Sequence, residues 1–485
     1  MVFRPEWFLP EIYQLAIVCL LFIQAISNSA TAPSGDTSVE RPSVAWVPFL
    51  AFLGIVVAAF NLHHQGVMLW SAYKIDALSQ FFKLAVAVGF FITTLNATKP
   101  ASIESRKMPD YFLFLAMSAW GLMLLASAVE MITIYVALEI SSYSIYALIP
   151  LRATDKRAAE AGIKYIMFGA VATAIALYGY SYVLAGQHTS YLAQLVHKDW
   201  SWAASPMAVT GLTLFLCGMF FKLALFPFHF WCPDVYEGTG NETAAFVATL
   251  PKLGAVVVLV RFAAMLKPGL EITTIIAIFG AISMTLGNLG ALAQTDLKRL
   301  LGYSSIAHAG YVTLGLVAGT PEGMAAAAYY SLIYLLMNLA CFWVICRLAP
   351  EGRNLTFSDL DGLYKREPVL AFSLAVAAFA LVGLPPTAGF TGKFFLLAAA
   401  WNHGYNWLVI VAVLNTAFAI YYYLSIVRHA YTHETEAGSQ AAATPRVATP
   451  QLVWAGVFSG VLLLLGVLPG PVFQWAVNAG KQLFP

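Results

Sequence analysis

The sequence predicts an all-α polytopic membrane protein of about 14 transmembrane helices, with two inverted five-helix repeats that each contain a broken helix. Three observations predict it. Hydrophobic residues make up 60% of the 485-residue chain and charged residues only 10%, with a mean hydropathy of +0.75. A soluble chain of this size needs far more surface charge, so lipid must be its main solvent. Apolar windows of crossing length, roughly 17–25 residues, recur from end to end. Finally, lysines and arginines collect in alternate connections.

In order, the windows are 8–26, 44–62, 77–97, 110–128, 131–150, 163–185, 207–227, 242–265, 271–291, 302–319, 325–346, 368–396, 406–427 and 451–475. The first follows Arg4 and Glu6 and has no small-residue cleavage site close behind, so it reads as a span and not a removable signal. The longest polar gaps, 347–367 and 428–450, are too short for a folded soluble domain. Connections after odd-numbered windows hold 15 basic residues, among them Arg41, Lys99, Arg152, Lys298, Arg353 and Arg446. The opposite side, termini included, holds Arg4, Lys74, Lys198, Arg261, Lys267 and Lys481. That bias predicts both termini on the side away from the cytoplasm-like compartment.

Composition also excludes classes. A net charge of +2 gives no footprint for nucleic acid. The five cysteines form no CxxC pair, so neither a disulfide framework nor an iron–sulfur or zinc signature is expected. Lys83, Lys164, Lys222, Lys252 and Lys393 fall inside windows, as does Glu139. A charge at the bilayer centre costs at least ~3 kcal/mol, which favours a protein interior or wet cavity over lipid.

Two windows are interrupted beside such lysines. In FFKLALFPFHFW (220–231), Pro227 has no N–H, so the carbonyl of Leu223 loses its helical partner. In GLPPTAGFTGKFF (383–395), Pro385 and Pro386 free the carbonyls of Leu381 and Val382, and Gly389 and Gly392 loosen the chain before Lys393. Broken helices in matching places of two halves point to a transport site. Windows four to eight and nine to thirteen align as five-helix sets with the broken helix fourth; EISSYSIY (139–146) and YSSIAHAGY (303–311) match best. The chain thus divides into a three-helix segment (1–109), a first repeat (110–267), an inverted second repeat (268–430), and a loop with a C-terminal helix (431–485).

The stretches ALEISSYSIYAL (137–148), FKLALFPFHFWCPDVYEG (221–238), QTDLKRLLGYSSIAHAGY (294–311) and GLPPTAGFTGKFFL (383–396) resemble the antiporter-like subunits of respiratory complex I, NADH:quinone oxidoreductase. The compact length and Lys393 resemble the subunit N type. The chain departs from the usual pattern at Asn241 and Glu242, and where Pro251 directly precedes Lys252; a bend there would move the Lys252 ammonium.

The resemblance implies proton translocation along a mid-membrane row, with Glu139 as the anion, Lys222 as its partner, Lys252 as lateral relay and Lys393 towards the exit. Lys164, between Glu139 and Lys222, and His229 and His308 would be accessory. It implies no cofactor in this chain: NADH, FMN, iron–sulfur clusters and quinone belong to partner subunits. The implied neighbours are an adjoining antiporter-like subunit and small membrane subunits, and the implied location is a bacterial inner membrane. Subunits of multi-subunit cation/proton antiporters, or of membrane-bound hydrogenase and ferredoxin-linked complexes, stand as the alternative.

The physical case holds by itself. An ammonium in water keeps its proton up to ~10.4; burial favours the neutral amine, and a nearby anion restores the charge. A swing of about three units is ~4 kcal/mol, and a proton moved against about 150 mV takes roughly 3.5 kcal/mol. Blander readings stand beside it. Buried ion pairs can simply fix packing, yet three lysines against one central acid leave charge unmatched. Lys83 is near enough to a window end to snorkel, Glu130 suits a helix terminus or an inter-subunit salt bridge, and the Trp and Tyr excess suits interfacial belts and lipid-facing packing.

Overall fold

The computed structural model describes residues 4–31, 44–97, 102–152, 156–401, 403–432 and 447–484. Each apolar window contains helix. The first six hold α1 (Leu9–Thr31), α2 (Val47–Phe60), α3 (Ala77–Asn96), α4 (Met108–Ser127), α5 (Met131–Leu148) and α6 (Lys156–Gln187). The seventh ends in α7 (Pro206–Leu223), and after a turn the chain resumes as α8 (Trp231–Gly238). Then come α9 (Asn241–Val247), α10 (Leu250–Ala263), α11 (Glu271–Leu292), α12 (Leu297–Val317) and α13 (Pro321–Leu348). The chain continues as α14 (Pro368–Val382), α15 (Ala388–Ala400), α16 (Asn406–Tyr431), α17 (Thr449–Val467) and α18 (Gly470–Lys481). Among the described residues, 12 helices are long and apolar enough to cross a membrane. The chain is an integral membrane protein.

Three windows are divided where prolines dictate. The bend expected at Pro251 is a short break within one span, Asn241–Ala263: α9 stops at Val247, and Pro251 sits in the first turn of α10, where its missing N–H is no loss. Thr249 closes the gap by donating its hydroxyl to the Ala245 carbonyl at 2.6 Å. The twelfth window splits into α14 and α15 around Pro385 and Pro386, and the last splits into α17 and α18 at Pro469. A short antiparallel hairpin, β1 (Gly66–Met68) with β2 (Tyr73–Ile75), joins α2 to α3.

The segments α9–α10, α12 and α13 are almost wholly enclosed, whereas α1, α6, α16 and α17 leave most of one face uncovered. Side chains such as Phe22, Ile163, Met167, Tyr421 and Val467 project from those outer helices, as lipid contact requires.

Several charged residues are placed differently from the sequence expectation. Lys83 does not snorkel: it is fully buried, 2.5 Å from the Glu11 carboxylate, which also accepts from the Tyr73 hydroxyl. Arg261, counted with the connections, is enclosed in α10 and forms two 2.9 Å bonds with Asp76, the N-cap of α3. Lys298 is likewise buried, its ammonium 2.7 Å from the Thr239 carbonyl. Removing Arg261 and Lys298 takes one from each side and preserves the basic asymmetry; Arg41, Lys99 and Arg446 lie outside the described residues. Glu130, by contrast, sits at a helix terminus as the sequence suggests: it caps α5, accepting from the Thr133 N–H at 2.8 Å.

Candidate functional site

The site is built on two helix endings of the same design. At the first, Ala224 adopts left-handed backbone (φ 61°). The Leu225 N–H returns to the Phe220 carbonyl at 2.8 Å, and the Ala224 N–H to the Phe221 carbonyl at 3.1 Å. This is a Schellman ending, which satisfies those two carbonyls and leaves the one at Leu223 free. Lys252 takes it: its Nζ donates to the Leu223 carbonyl at 3.0 Å. The ammonium at the carbonyl freed beside Pro227 therefore comes from α10, not from the adjacent Lys222.

At the second, Gly383 is the left-handed residue (φ 87°), Leu384 N–H bonds Phe379 at 3.0 Å and Gly383 N–H bonds Ala380 at 3.0 Å. The carbonyl of Val382, equivalent to that of Leu223, accepts from Lys393 Nζ at 2.8 Å. A Cβ on Gly383 would stand 2.9 Å from the Lys393 Cδ, so glycine serves both the turn and the passage of the lysine. The peptide bonds preceding Pro227 and Pro386 are cis. Both ammonium groups thus lie where a helix presents its partial negative end, deep in the protein.

Lys222 occupies the last turn of α7 and points elsewhere. Its Nζ donates to the Tyr165 hydroxyl at 3.1 Å. The rings of Tyr165, Phe221 and Tyr146 surround it at 5.0, 5.1 and 5.5 Å, a cation–π cage. The direct Glu139–Lys222 pair expected from the sequence is not formed. Glu139, on α5, accepts from Thr173 of α6 at 3.0 Å. The cause is local: α6 presents Thr173 to α5 and Tyr165 to α7. Lys164, one residue from Tyr165, lies not between the two but at the accessible end of α6, 2.7 Å from both Glu160 and Asp234.

Beyond Lys252 the polar groups continue through hydroxyls. Lys252 also donates to Ser305 Oγ; that oxygen meets the hydroxyls of Tyr334 at 2.6 Å and Tyr236 at 3.1 Å. One turn further along α12, His308 is held by Tyr330 at Nδ1 (2.6 Å) and Tyr423 at Nε2 (3.2 Å). A small cavity is lined by Lys252, Ser305, His308 and Tyr334, among others. Lys393 lies past His308, its ammonium 4.3 Å above the Tyr311 ring. His229 stays outside this set: it is buried in the turn before α8, with its ring against Phe226 and Phe230.

The tyrosines are a correction as well as an addition. Tyr165, Tyr236, Tyr311, Tyr330 and Tyr423 are buried and bonded within the polar row, not spent on interfacial belts. A signal for them exists in the sequence. Ser304, His308 and Tyr311 recur at helical spacing on one face of an apolar helix, and Tyr330 and Tyr334 do so on α13.

Residues 128–419 match the family described as NADH:quinone oxidoreductase/Mrp antiporter, TM. The chain is 60% identical over 481 residues to a Solidesulfovibrio magneticus protein named NADH-quinone oxidoreductase subunit N 2, covering 98% of this chain and 99% of that one. It resembles a chain of respiratory complex I from Thermus thermophilus with bound aureothin, at 30% identity and a TM-score of 0.80, across 97% and 98% of the two chains. It also resembles a chain of the Mrp complex from Dietzia sp. DQ12-45-1b, at 19% identity and a TM-score of 0.84, across 99% and 98%. At that identity the last likeness concerns fold alone.

Proposed function

The chain belongs to the subunit N family of NADH:quinone oxidoreductase, the antiporter-like membrane subunits, and we propose that it moves protons along Glu139, Lys222, Lys252, His308 and Lys393. The observation that carries this reading is the pair of helix breaks: Lys252 rests on the Leu223 carbonyl and Lys393 on the Val382 carbonyl. Each lysine is held by neutral oxygens that satisfy either protonation state less than fully, so a modest change of geometry shifts its charge. Pro227, Pro385 and Pro386 keep the two helices open at those points. Lys164 and His229 are accessory, beside the row.

Lys222 has an aromatic cage and a phenol, with the Glu139 carboxylate held on the facing side of α6 by Thr173. Movement of α5 or α6 would change the distance between the two and load or unload the ammonium. Electrons stay in partner subunits, which would hold NADH, FMN, iron–sulfur clusters and quinone; coupling reaches this chain mechanically or electrostatically. Its membrane neighbours are an adjoining antiporter-like subunit and small membrane subunits. We assign it to a bacterial inner membrane, as its bacterial relatives favour, and place both termini on the non-cytoplasmic side on the basic asymmetry.

The two halves are further proposed as inverted repeats. Two features support this beyond the breaks. Gly121 of α4 packs on the Ala137 carbonyl and Ser141 amide of α5, and Gly287 of α11 packs on the Tyr303 carbonyl and Ala307 amide of α12. Each is a glycine set against the carbonyl of residue i and the amide of i+4 in the next helix.

Replacing Lys222 with alanine tests the relay. We expect the complex to assemble and proton pumping to collapse; a normal proton-to-electron ratio would refute the role. Mild solubilisation tests the assignment: flavin and iron–sulfur subunits with NADH activity should co-purify, whereas a small set of antiporter subunits would favour cation/proton antiport.

A further inference from the structure

We infer that the Ser305 hydroxyl is the junction through which the proton leaves Lys252 towards His308, an inference that rests on the relay reading above. Among the described residues, Ser305 Oγ bonds Lys252 and both the Tyr334 and Tyr236 hydroxyls. The other bond of Lys252 goes to the Leu223 carbonyl, an acceptor without a proton to pass on. A serine hydroxyl both accepts and donates and turns about one bond. It can therefore take a proton from one side while releasing its own on the other.

The surroundings leave this exit open and others closed. Ser305 and His308 are one turn apart on α12, and both line the cavity with Lys252 and Tyr334. Every ring nitrogen of His308 is already engaged by a phenol, Tyr330 or Tyr423, so His308 meets the chain through hydroxyls. The rest of the lining is apolar (Leu223, Leu253, Val256, Ala309 and Val312) except for Thr249 and Ser331, whose hydroxyls donate to the carbonyls of Ala245 and Ala328 on their own helices.

The step balances as follows. One N–H bond of the Lys252 ammonium breaks, and its proton forms an O–H bond at Ser305 Oγ. The original Ser305 proton passes to the Tyr334 oxygen, and a water molecule entering from outside the structure accepts the phenolic proton of Tyr334 as hydronium. Lys252 is left as a neutral amine, Ser305 and Tyr334 are regenerated, and the excess proton stands on the His308 side. No electrons move.

The test uses inverted membrane vesicles containing the intact complex, with proton uptake driven by NADH and normalised to assembled complex. Ser305→Ala should slow proton uptake by about tenfold or more and lower the proton-to-electron ratio, while Ser305→Thr, which keeps the hydroxyl, should restore both. Wild-type uptake in Ser305→Ala would overturn the proposal, and so would failure of Ser305→Thr in a fully assembled complex, because packing and not the hydroxyl would then matter. If Ser305→Ala does not assemble, Tyr334→Phe removes the next hydroxyl and keeps the ring; unchanged uptake there overturns the route. Lys252→Ala is measured alongside. Loss of pumping in Lys252→Ala with normal Ser305→Ala defeats this junction alone, whereas normal pumping in both defeats the relay reading itself.

Discussion

The N-terminal region and the central row both bury lysine or arginine, yet they treat the charge in opposite ways. Around α3, Lys83 is matched by Glu11 and Arg261 by Asp76, each at 2.9 Å or less. In the central row, Lys222, Lys252 and Lys393 meet a phenol, a serine and backbone carbonyls, and none forms an ion pair among the described residues. A matched buried pair is fixed, because removing either charge strands the other. A cation held by dipoles alone leaves no opposite charge stranded when it gives up its proton. The contrast separates charges that hold the helices together from charges that can move.

The largest test of that contrast is Asp76→Asn. Stranding Arg261 should cost ~3–5 kcal/mol, read as a lower unfolding temperature or loss of assembled complex. Lys252→Met, which removes a cation and strands no anion, should cost much less. If the two variants lose similar stability, the division fails. Acid provides a second reading. Burial pushes the Asp76 carboxyl up, but the Arg261 guanidinium and the Ser79 N–H outweigh it and hold it below the ordinary range. A carboxylate depressed in the folded state contributes stability above its unfolded value of ~3.9, and loses it as pH falls through the lower folded value. The stability gap between wild type and Asp76→Asn should therefore be flat near neutrality and close in acid below ~3.9. A gap that persists in acid would mean that Asp76 acts by packing instead of charge.

A smaller effect compares the two breaks with each other. Gly383→Ala forces a Cβ onto left-handed backbone, which costs roughly 1–2 kcal/mol, and sets it 2.9 Å from Lys393 Cδ. Both stability and pumping should fall. Ala224→Gly relieves the same conformation at the first break, and its gain is offset by the freedom that glycine loses, so stability should stay within ~1 kcal/mol of wild type. Equal behaviour at the two sites would show that the left-handed residue is not what shapes the second ending.

Much of this was legible in the sequence, for physical reasons. The helices announce themselves because lipid demands long apolar runs, and the two breaks because proline lacks an N–H. The freed carbonyls of Leu223 and Val382 could be named in advance; the donor at the first could not. Lys252 reaches it from 29 residues away, and Asp76 finds Arg261 across 185. Such pairings depend on how helices pack, which local pattern does not encode. For the same reason local pattern pairs Glu139 with Lys222, whereas α6 stands ready with Thr173 for one and Tyr165 for the other. Tyrosine is ambiguous by composition, which suits a membrane interface as well as a buried hydroxyl row; only its spacing on α12 and α13 tells them apart.

Lys164 sharpens the comparison at its weak end. By sequence it sits inside a window, with the other lysines of the row. By geometry it belongs with the matched charges, since it bonds Glu160 and Asp234, and Asp234 in turn holds Arg299 at 2.7 Å. Its side chain is 37% exposed, however, so water screens what the N-terminal pairs keep enclosed. An accessible pair is worth ~0–1 kcal/mol. Lys164→Ala should therefore shift stability by no more than that, and the shift should shrink as salt is raised. Its effect on pumping should also be smaller than that of Lys222→Ala. A loss as deep as that of Lys222→Ala would return Lys164 to the row and show that exposure, not only pairing, decides which lysines carry protons.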